Sequence, residues 1–423
     1  MRTTTDLQAS DWHIRVPARH ELRSFARPVE LAFAEDSSEA EFEDWLKLCE
    51  PDRWLGAFED ATSQHVAGCA SAHSVRLTVP GGTVAAAAVT GVGVRPDYRR
   101  RGILRALMRR QLADVHERGD PVAALWASEG AIYQRFGYGL AAMDGYFEVA
   151  VERTAYARSR PAEGRVRILG EEESAGIIPA VYEAMRAQTP GALSRTEAWW
   201  VDGVLADPEY SRRGSSPKFR VVYEADGVAE GYAIYRVKAD WDHRGPRSVL
   251  EVREAVTITP RALRELWRYL FEVDLVRTVK AHRVPVPAPL QHLLIEPRAL
   301  GLVVNDGLWI RLVDLPAALQ ARRYGTADSL VLEVSDVFCP RNAGRWRVHA
   351  ASQSGAATAG VTRTDEPADL VLDTSDLAAM YLGGTRPADL AAAGRIEERT
   401  SQAVRRATAL FATEQIPWCV MMF

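Results

Sequence analysis

Three consecutive arginines and a glycine, Arg99-Arg100-Arg101-Gly102, are the residues of this 423-residue chain best suited to chemistry. They lie between a β-type apolar run (Ala87, Val89, Val92, Val94), closed by Pro96, and an amphipathic stretch. In that stretch Ile103, Leu104, Leu107, Met108, Leu112 and Val115 fall on one face at helical spacing. Strand, basic glycine turn and helix start together make a phosphate site. The first amides of a helix have no intrahelical partner, and the helix dipole favours an anion beside them. Gly102 lets the backbone approach a ligand because no Cβ intervenes. The three guanidinium groups add charge-assisted hydrogen bonds. A solvated basic turn before an ordinary helix is the competing reading, and the flanking strand, proline and helix weigh against it. Two common nucleotide loops are excluded. The chain has no Gly-x-x-x-x-Gly-Lys-Ser/Thr, and no Gly-x-Gly-x-x-Gly opens this helix.

The segment resembles the coenzyme A loop of the GNAT superfamily of N-acetyltransferases, Gln/Arg-x-x-Gly-x-Gly/Ala after a Val-x-Pro strand end. Arg99–Leu104 matches except at the last place, where Leu104 replaces the small residue. In that superfamily the next strand splays from the previous one, the acyl thioester lies in the gap, and a tyrosine beyond it protonates the departing thiolate. Val122–Trp126 reads as that strand and Tyr133 as that tyrosine. Phe136 and Tyr138 read as core aromatics. The chain ends Pro417-Trp418-Cys419-Val420-Met421-Met422-Phe423. Termini are generally polar and frayed, so an apolar end is expected to dock in an interior.

Ile132-Tyr133-x-Arg135-Phe136-Gly137-Tyr138-Gly139, Asp306-Gly307-Leu308-Trp309-Ile310-Arg311-Leu312-Val313-Asp314 and the terminal Trp418-Cys419-x-x-x-Phe423 resemble the Eis (enhanced intracellular survival) family of acetyltransferases over the whole chain. The resemblance implies Tyr133 as general acid and the C-terminal carboxylate of Phe423 as base. It implies backbone contacts from Val92 and Val94 to acetyl-CoA, a pyrophosphate held by Arg99, Arg100 and Gly102, and further cofactor contacts at Ile103 and Leu104. It also implies a homohexamer and, as acceptors, aminoglycosides or lysine side chains. Met422 stands where the family can have an acidic residue, which removes one contact to a cation.

Acetyl transfer needs a neutral amine, a positioned thioester, donors for the developing oxyanion and a proton for the thiolate. A tyrosine with pKa near ~10 carries its proton at neutral pH. An α-carboxylate with pKa of about 3.5 is a poor base in water; burial raises it, and it acts through a water or holds the ammonium. Amides near Val94 are candidates to polarise the thioester carbonyl. No nucleophilic Ser or Cys is required, so direct transfer is expected. Glu35, Asp36, Glu39, Glu41, Glu43 and Asp44 form an acidic run that either attracts a polycationic amine or is a solvated helical face. Phe33, Trp45 and Trp54 line a pocket or the core.

Residues 1–150 alternate strands and helices as a catalytic GNAT domain does, with strands at about 53–59, 66–79 and 84–95 and a turn at Pro80-Gly81-Gly82. After a linker, Ala155–Gly164, residues 165–305 echo the pattern: strand 249–259, helix 260–270 opened by Pro260, strand 274–281. The arginine–glycine loop is missing there, so this second, degenerate unit is expected not to bind coenzyme A. Residues 306–423 begin with a strand at 307–313 and place a hairpin loop at Ser354–Gly360; the resemblance makes this a sterol-carrier-protein-like domain that delivers the C-terminal carboxylate. The fold class is therefore α+β: tandem GNAT-like domains, each a mixed sheet flanked by helices, plus that domain.

The composition is that of a globular protein, 47% hydrophobic and 26% charged, with net charge −4, so nucleic acid is not an expected partner. No apolar run is long enough to span a membrane, and Met1–Asp6 lacks a signal peptide's apolar core. Cys49, Cys69, Cys339 and Cys419 are scattered, which argues against zinc or disulfides and for a cytoplasmic setting; no metal site is assigned. The expectation is an acetyl-CoA-dependent N-acetyltransferase acting on a small-molecule or peptidyl amine. The alternative is a non-catalytic GNAT-type or lipid-carrier-type binding protein.

Overall fold

The computed structural model describes residues 12–158, 160–353 and 356–423. The reading of Met1–Asp6 lies outside them. The first unit comprises β1 (His13–Arg15), α1 (Leu22–Phe33), α2 (Glu39–Lys47), β2 (Leu55–Phe58), β3 (Gly68–Val79), β4 (Gly82–Val94), α3 (Ile103–Glu117), β5 (Val122–Trp126), α4 (Gly130–Tyr133) and β6 (Gly139–Ala150). The second has β7 (Arg165–Ile168), α5 (Glu171–Arg186), β8 (Phe219–Ala225), β9 (Val228–Lys238), the short pair β10 (Trp241–Asp242) and β11 (Gly245–Pro246), β12 (Ser248–Thr257), α6 (Pro260–Phe271) and β13 (Val276–Val284). β14 (Val303–Leu312) follows. The C-terminal unit has α7 (Leu315–Ala321), β15 (Arg323–Tyr324), β16 (Asp328–Ser335), β17 (Gly344–Gln353), β18 (Ala356–Arg363), β19 (Leu370–Asp373), α8 (Thr374–Met380), α9 (Pro387–Ala392), β20 (Ile396–Glu398) and α10 (Ala403–Phe411).

Period-two patterning buries both faces of the first unit's strands. Ala87, Val89, Ala123 and Leu125 pack with Leu107, Met108 and Leu112 of α3. Their neighbours Ala86, Ala88, Val122 and Ala124 pack with the C-terminal unit through Leu330, Trp346, Leu377 and Phe411. A strand covered on both faces needs small apolar residues, which the alanines supply. The β3–β4 hairpin closes at Val79↔Gly82, with Gly81 at φ +74° after Pro80.

All strands of the first two units except the β10–β11 pair, together with β14, join one twelve-stranded sheet, ordered β1-β2-β3-β4-β5-β14-β6-β13-β12-β9-β8-β7. The expected strand at 307–313 exists as β14, but it hydrogen-bonds in this long sheet between β5 and β6, not in the sheet of the C-terminal unit. That second sheet has the order β15-β18-β17-β16-β19-β20. The hairpin loop expected at Ser354–Gly360 is shorter, because Ala356–Gly360 belong to β18 and pair with β17. Ser354 and Gly355 lie outside the described residues.

Candidate active site

The site is built on a gap in the long sheet. β4 and β5 run parallel but pair only at Ala86↔Val122, Ala87↔Ala123 and Ala88↔Ala124. Beyond Ala88 they part, while β4 stays bound to β3 as far as Gly68↔Val94. Residues 89–94 therefore turn one backbone edge to the gap. Relative to β3, β4 carries one extra residue between Thr90 and Gly93, a bulge in which Gly91 has φ +57°. A bulge re-aims local backbone groups out of the ladder.

The arginine loop follows. Arg100 and Gly102 have φ +65° and +80°, and a Cβ on Gly102 would meet nothing within 4 Å. Glycine is favoured there by backbone conformation and by the open approach it leaves. The Trp12 indole donates to the Arg101 carbonyl (2.9 Å), and the Arg101 guanidinium lies 5.0 Å from the Tyr98 ring centre. Asp97 neutralises Arg95 (2.9 Å). Arg99 and Arg100 are exposed, with no ion pair among the described residues. Gly102 is the N-cap of α3 and offers no capping side chain. The first helical bond runs from Ala106 N–H to the Gly102 carbonyl (3.0 Å), so the amides before Ala106 face outward at the positive end of the dipole. Ile103 is buried in the core. Only its backbone can meet a ligand.

Where the strands part, a cleft of about 600 Å³ opens. Val92, Tyr133 and Phe423, expected from the sequence, all line it. Val94, Arg99, Arg100, Gly102, Ile103 and Leu104 do not; they continue along the chain past the β4 end of the cleft. Tyr133, on α4, is 7% exposed and edge-on to Tyr138 at 5.8 Å. Burial, then the charge of Glu129, pushes its phenol up to about 12. The chain end is docked as its apolar sequence requires. Trp418 N–H donates to the Pro190 carbonyl (2.8 Å), and its indole donates to the Arg283 carbonyl (2.9 Å). The Trp126 indole, at the end of β5, donates to the Met421 carbonyl (2.9 Å). The tail thus runs through the second unit and ends in the first.

The opposite wall comes from α1 and α2. Phe33 and Trp45 line the cleft, whereas Trp54 is in the core, stacked between Phe25 (4.6 Å) and Trp45 (5.0 Å). The acidic run divides. Glu35 and Glu41 face the cleft, and Glu41 also closes the α2 capping box on Ser38 N–H (2.8 Å). Asp36 and Asp44 are paired with Arg27 (3.2 Å) and Lys47 (2.7 Å). Glu30 also lines the cleft but is neutralised by Arg23 (2.7 Å) and Arg27 (3.2 Å).

Sequence reasoning missed two carboxylates. Asp144 of β6 and Asp306 of β14 line the cleft next to Trp126 and Phe423. Asp306 accepts from the Trp309 indole (2.9 Å). Asp144 Oδ1 is buried without a hydrogen-bond partner among the described residues. Burial pushes its carboxyl up to about 6, against the pull of Arg283. Neither was visible in advance, because the insertion of β14 beside β6 brings them together. The Asp306-Gly307-Leu308-Trp309 run was the one available signal.

Among the described residues no cluster of His, Cys, Asp and Glu suits a metal ion, and no helix is long and apolar enough to cross a membrane.

Comparison with known proteins identifies the domains and the family. Family profiles for an acetyltransferase (GNAT) domain match residues 13–141 and, separately, 191–312, and a sterol carrier protein domain matches residues 315–420. An uncharacterized N-acetyltransferase of Streptomyces avermitilis is 38% identical over 420 residues, 98% of each chain. N-acetyltransferase Eis of Mycobacterium tuberculosis is 37% identical over 360 residues, 82% of this chain and 84% of that one. The crystal structure of Eis1 from Mycobacterium abscessus superposes with a TM-score of 0.81 at 33% identity, covering 97% of this chain and all of that one. GNAT acetyltransferases use acetyl-CoA. With two GNAT domains, a C-terminal sterol-carrier-type domain and relatives of these names, the chain is an acyltransferase and belongs to the Eis family of GNAT N-acetyltransferases.

Proposed function

We propose that the enzyme transfers the acetyl group of acetyl-CoA directly to a primary amine of a polycationic acceptor, such as an aminoglycoside, a polyamine or a lysine side chain. One observation carries the reading: Tyr133 and the terminal Phe423 line the same cleft, which opens where β4 and β5 part. The coenzyme supplies an activated thioester. The residues present fit it. Arg99, Arg100 and the amides of Gly102, Ile103 and Leu104 hold its pyrophosphate, and the bulged edge at Val92 with Val94 binds the arm and steadies negative charge on the acyl oxygen.

Tyr133 serves as general acid. Its phenol, raised to about 12 by burial, keeps its proton throughout the working pH range and offers it at the sulfur as the thioester breaks. The Phe423 carboxylate receives the proton of the attacking amine, directly or through a water, and the Trp126–Met421 hydrogen bond holds the last residues in place. Glu35, Glu41, Asp144 and Asp306 make the acceptor side acidic, which suits a cation bearing several amines.

The lipid-carrier alternative loses support from the C-terminal unit, whose interior is filled by fully buried Arg322, Tyr381 and Phe411. The Arg322 guanidinium donates to the carbonyls of Tyr381 (2.7 Å) and Phe411 (3.1 Å). We also read the enzyme as a cytoplasmic homohexamer, on the family resemblance and its unpaired cysteines; light scattering of the purified chain tests the assembly. The function is tested by thiol release from acetyl-CoA with a panel of aminoglycosides, polyamines and lysine peptides, with product masses measured. Release with one class and a +acetyl mass supports the reading. Release without any acceptor points to hydrolysis, and no release with any of them to a binding role.

A further inference from the structure

A second cavity, of about 360 Å³, lies between the second unit, Leu48 of the first and the C-terminal tail. It lies where β12 and β13 part, the counterpart of the β4–β5 gap. Their parallel pairing ends at Val252↔Ala281, and β12 is bulged against β9 between Val252 and Glu254. Five cationic side chains line it: Arg195, Lys218, Arg236, Arg253 and Arg283. Its carboxylates are Glu254 and Asp202. Both are engaged. Glu254 is gripped at both oxygens by Arg195 (2.9 and 2.6 Å), and Asp202 lies 3.8 Å from Lys47 of α2.

The other cations are balanced in part and mostly from outside the cavity: Arg253 lies 3.5 Å from Glu251, and Arg283 feels the charges of Glu254 and Asp144. Arg236 reaches Asp207 outside the cavity (2.7 Å). Among the described residues the Lys218 ammonium donates only to the carbonyls of Val204 (2.7 Å) and Ala206 (2.5 Å). Arg283 donates to the Arg253 carbonyl (2.9 Å) and has no ion pair among the described residues. The Nε groups of Arg283 and of the almost fully buried Arg195 have no hydrogen-bond partner among the described residues. Buried unsatisfied donors are rare and call for a partner. Burial, then the neighbouring Arg236, pushes Lys218 down to about 8, with Arg220 and Arg253 acting the same way and Asp207 opposing them. An anion would relieve each of these costs at once.

We propose that this cavity is a second ligand site, adjoining the transfer cleft at Met422, which binds a small oxyanion, a phosphate or a carboxylate. Val420, Met421 and Met422 form one of its walls, so the ligand rests against the segment that ends in Phe423.

The test is calorimetric titration of inorganic phosphate into the full chain at fixed ionic strength, with coenzyme A saturating the Arg99–Gly102 loop. Saturable binding is expected. It should weaken about tenfold or more in Arg253→Gln or Arg283→Gln, since each removes a charge-assisted contact. The Arg253 side chain is 54% exposed, so its variant should fold even if the other does not. Succinate in place of phosphate identifies whether the carboxylate is preferred. Absence of saturable binding, an equal response to chloride, or unchanged affinity in both variants would overturn the proposal. Phosphate binding that appears only without coenzyme A and is lost in Arg100→Gln would place the anion on the arginine loop; that result would refute this site and leave the transfer reading intact.

Discussion

β4, α3 and β5 in the first unit follow the same path as β12, α6 and β13 in the second, two parallel strands joined by a helix. Both leading strands carry a bulge, and in both the parallel pairing ends just before it. The helix starts differ. α3 opens on Gly102 with bare amides and three exposed arginines before it. α6 is closed by its own sequence: Thr259 Oγ accepts from Ala262 N–H (3.1 Å) and donates to Glu230 (2.7 Å), and Pro260 has no amide to offer. Glu230 is held there by Arg261 (2.6 Å). One helix end is left open for an anion; the other is satisfied and guarded by a carboxylate. The gaps differ as well. In the second unit Trp418 and Val420 of the tail pack with Tyr182, Trp200, Tyr232 and Ile234. The comparison teaches a division of labour. On the proposed function, one copy of the fold keeps the reagent cleft, while the other packs against the chain end.

Extending the chain by one residue beyond Phe423 should do the most damage, because it moves the carboxylate while leaving the tail's anchors. Loss of a positioned base is expected to cost turnover about 10²–10⁴-fold. A fully active extended enzyme, in a thiol-release assay, would separate the second unit's grip from catalysis. Next is the loop. Arg99→Gln with Arg100→Gln should raise KM for acetyl-CoA about tenfold or more and leave the melting temperature nearly unchanged. Thr259→Ala at the matching helix start should do the reverse, costing about 1 kcal/mol of stability with no change in KM. Equal effects on KM would erase the distinction between the units.

A smaller effect is expected at Asp144. Its carboxyl, raised to about 6, is neutral below that pH and charged above it, with Arg283 and Asp306 the charges that act on it. KM for a cationic acceptor should therefore fall as pH rises through about 6. In Asp144→Asn that fall should vanish, with acetyl-CoA affinity untouched. A pH profile identical in both would remove Asp144 from acceptor binding.

Much of this was legible in residues close in sequence. The strand–loop–helix run at 84–117 announced itself by period-two and helical spacing around Pro96 and Gly102. The repeat in the second unit was visible through Pro260 and the flanking β-branched runs. The apolar end at Pro417–Phe423 declared that it docks. What it docks onto did not, because Pro190, Arg283 and Trp126 are distant in sequence and carry no local pattern. The same reason hid the place of β14, whose partners Ala123 and Met143 are fixed by sheet closure, and with it the pairing of Asp144 and Asp306. The bulge in β4 had a local sign, Gly91 inside an otherwise apolar strand, which sheet geometry alone could interpret.

The claim at the centre is that the phenol on α4 acts on the sulfur of a coenzyme held elsewhere. It is tested most directly by Tyr133→Phe, with turnover and acetyl-CoA affinity measured on the same sample. The expected result is turnover lower by about 10²-fold or more with the dissociation constant for acetyl-CoA nearly unchanged. A variant that turns over normally, or one that loses coenzyme affinity in step with rate, would contradict it.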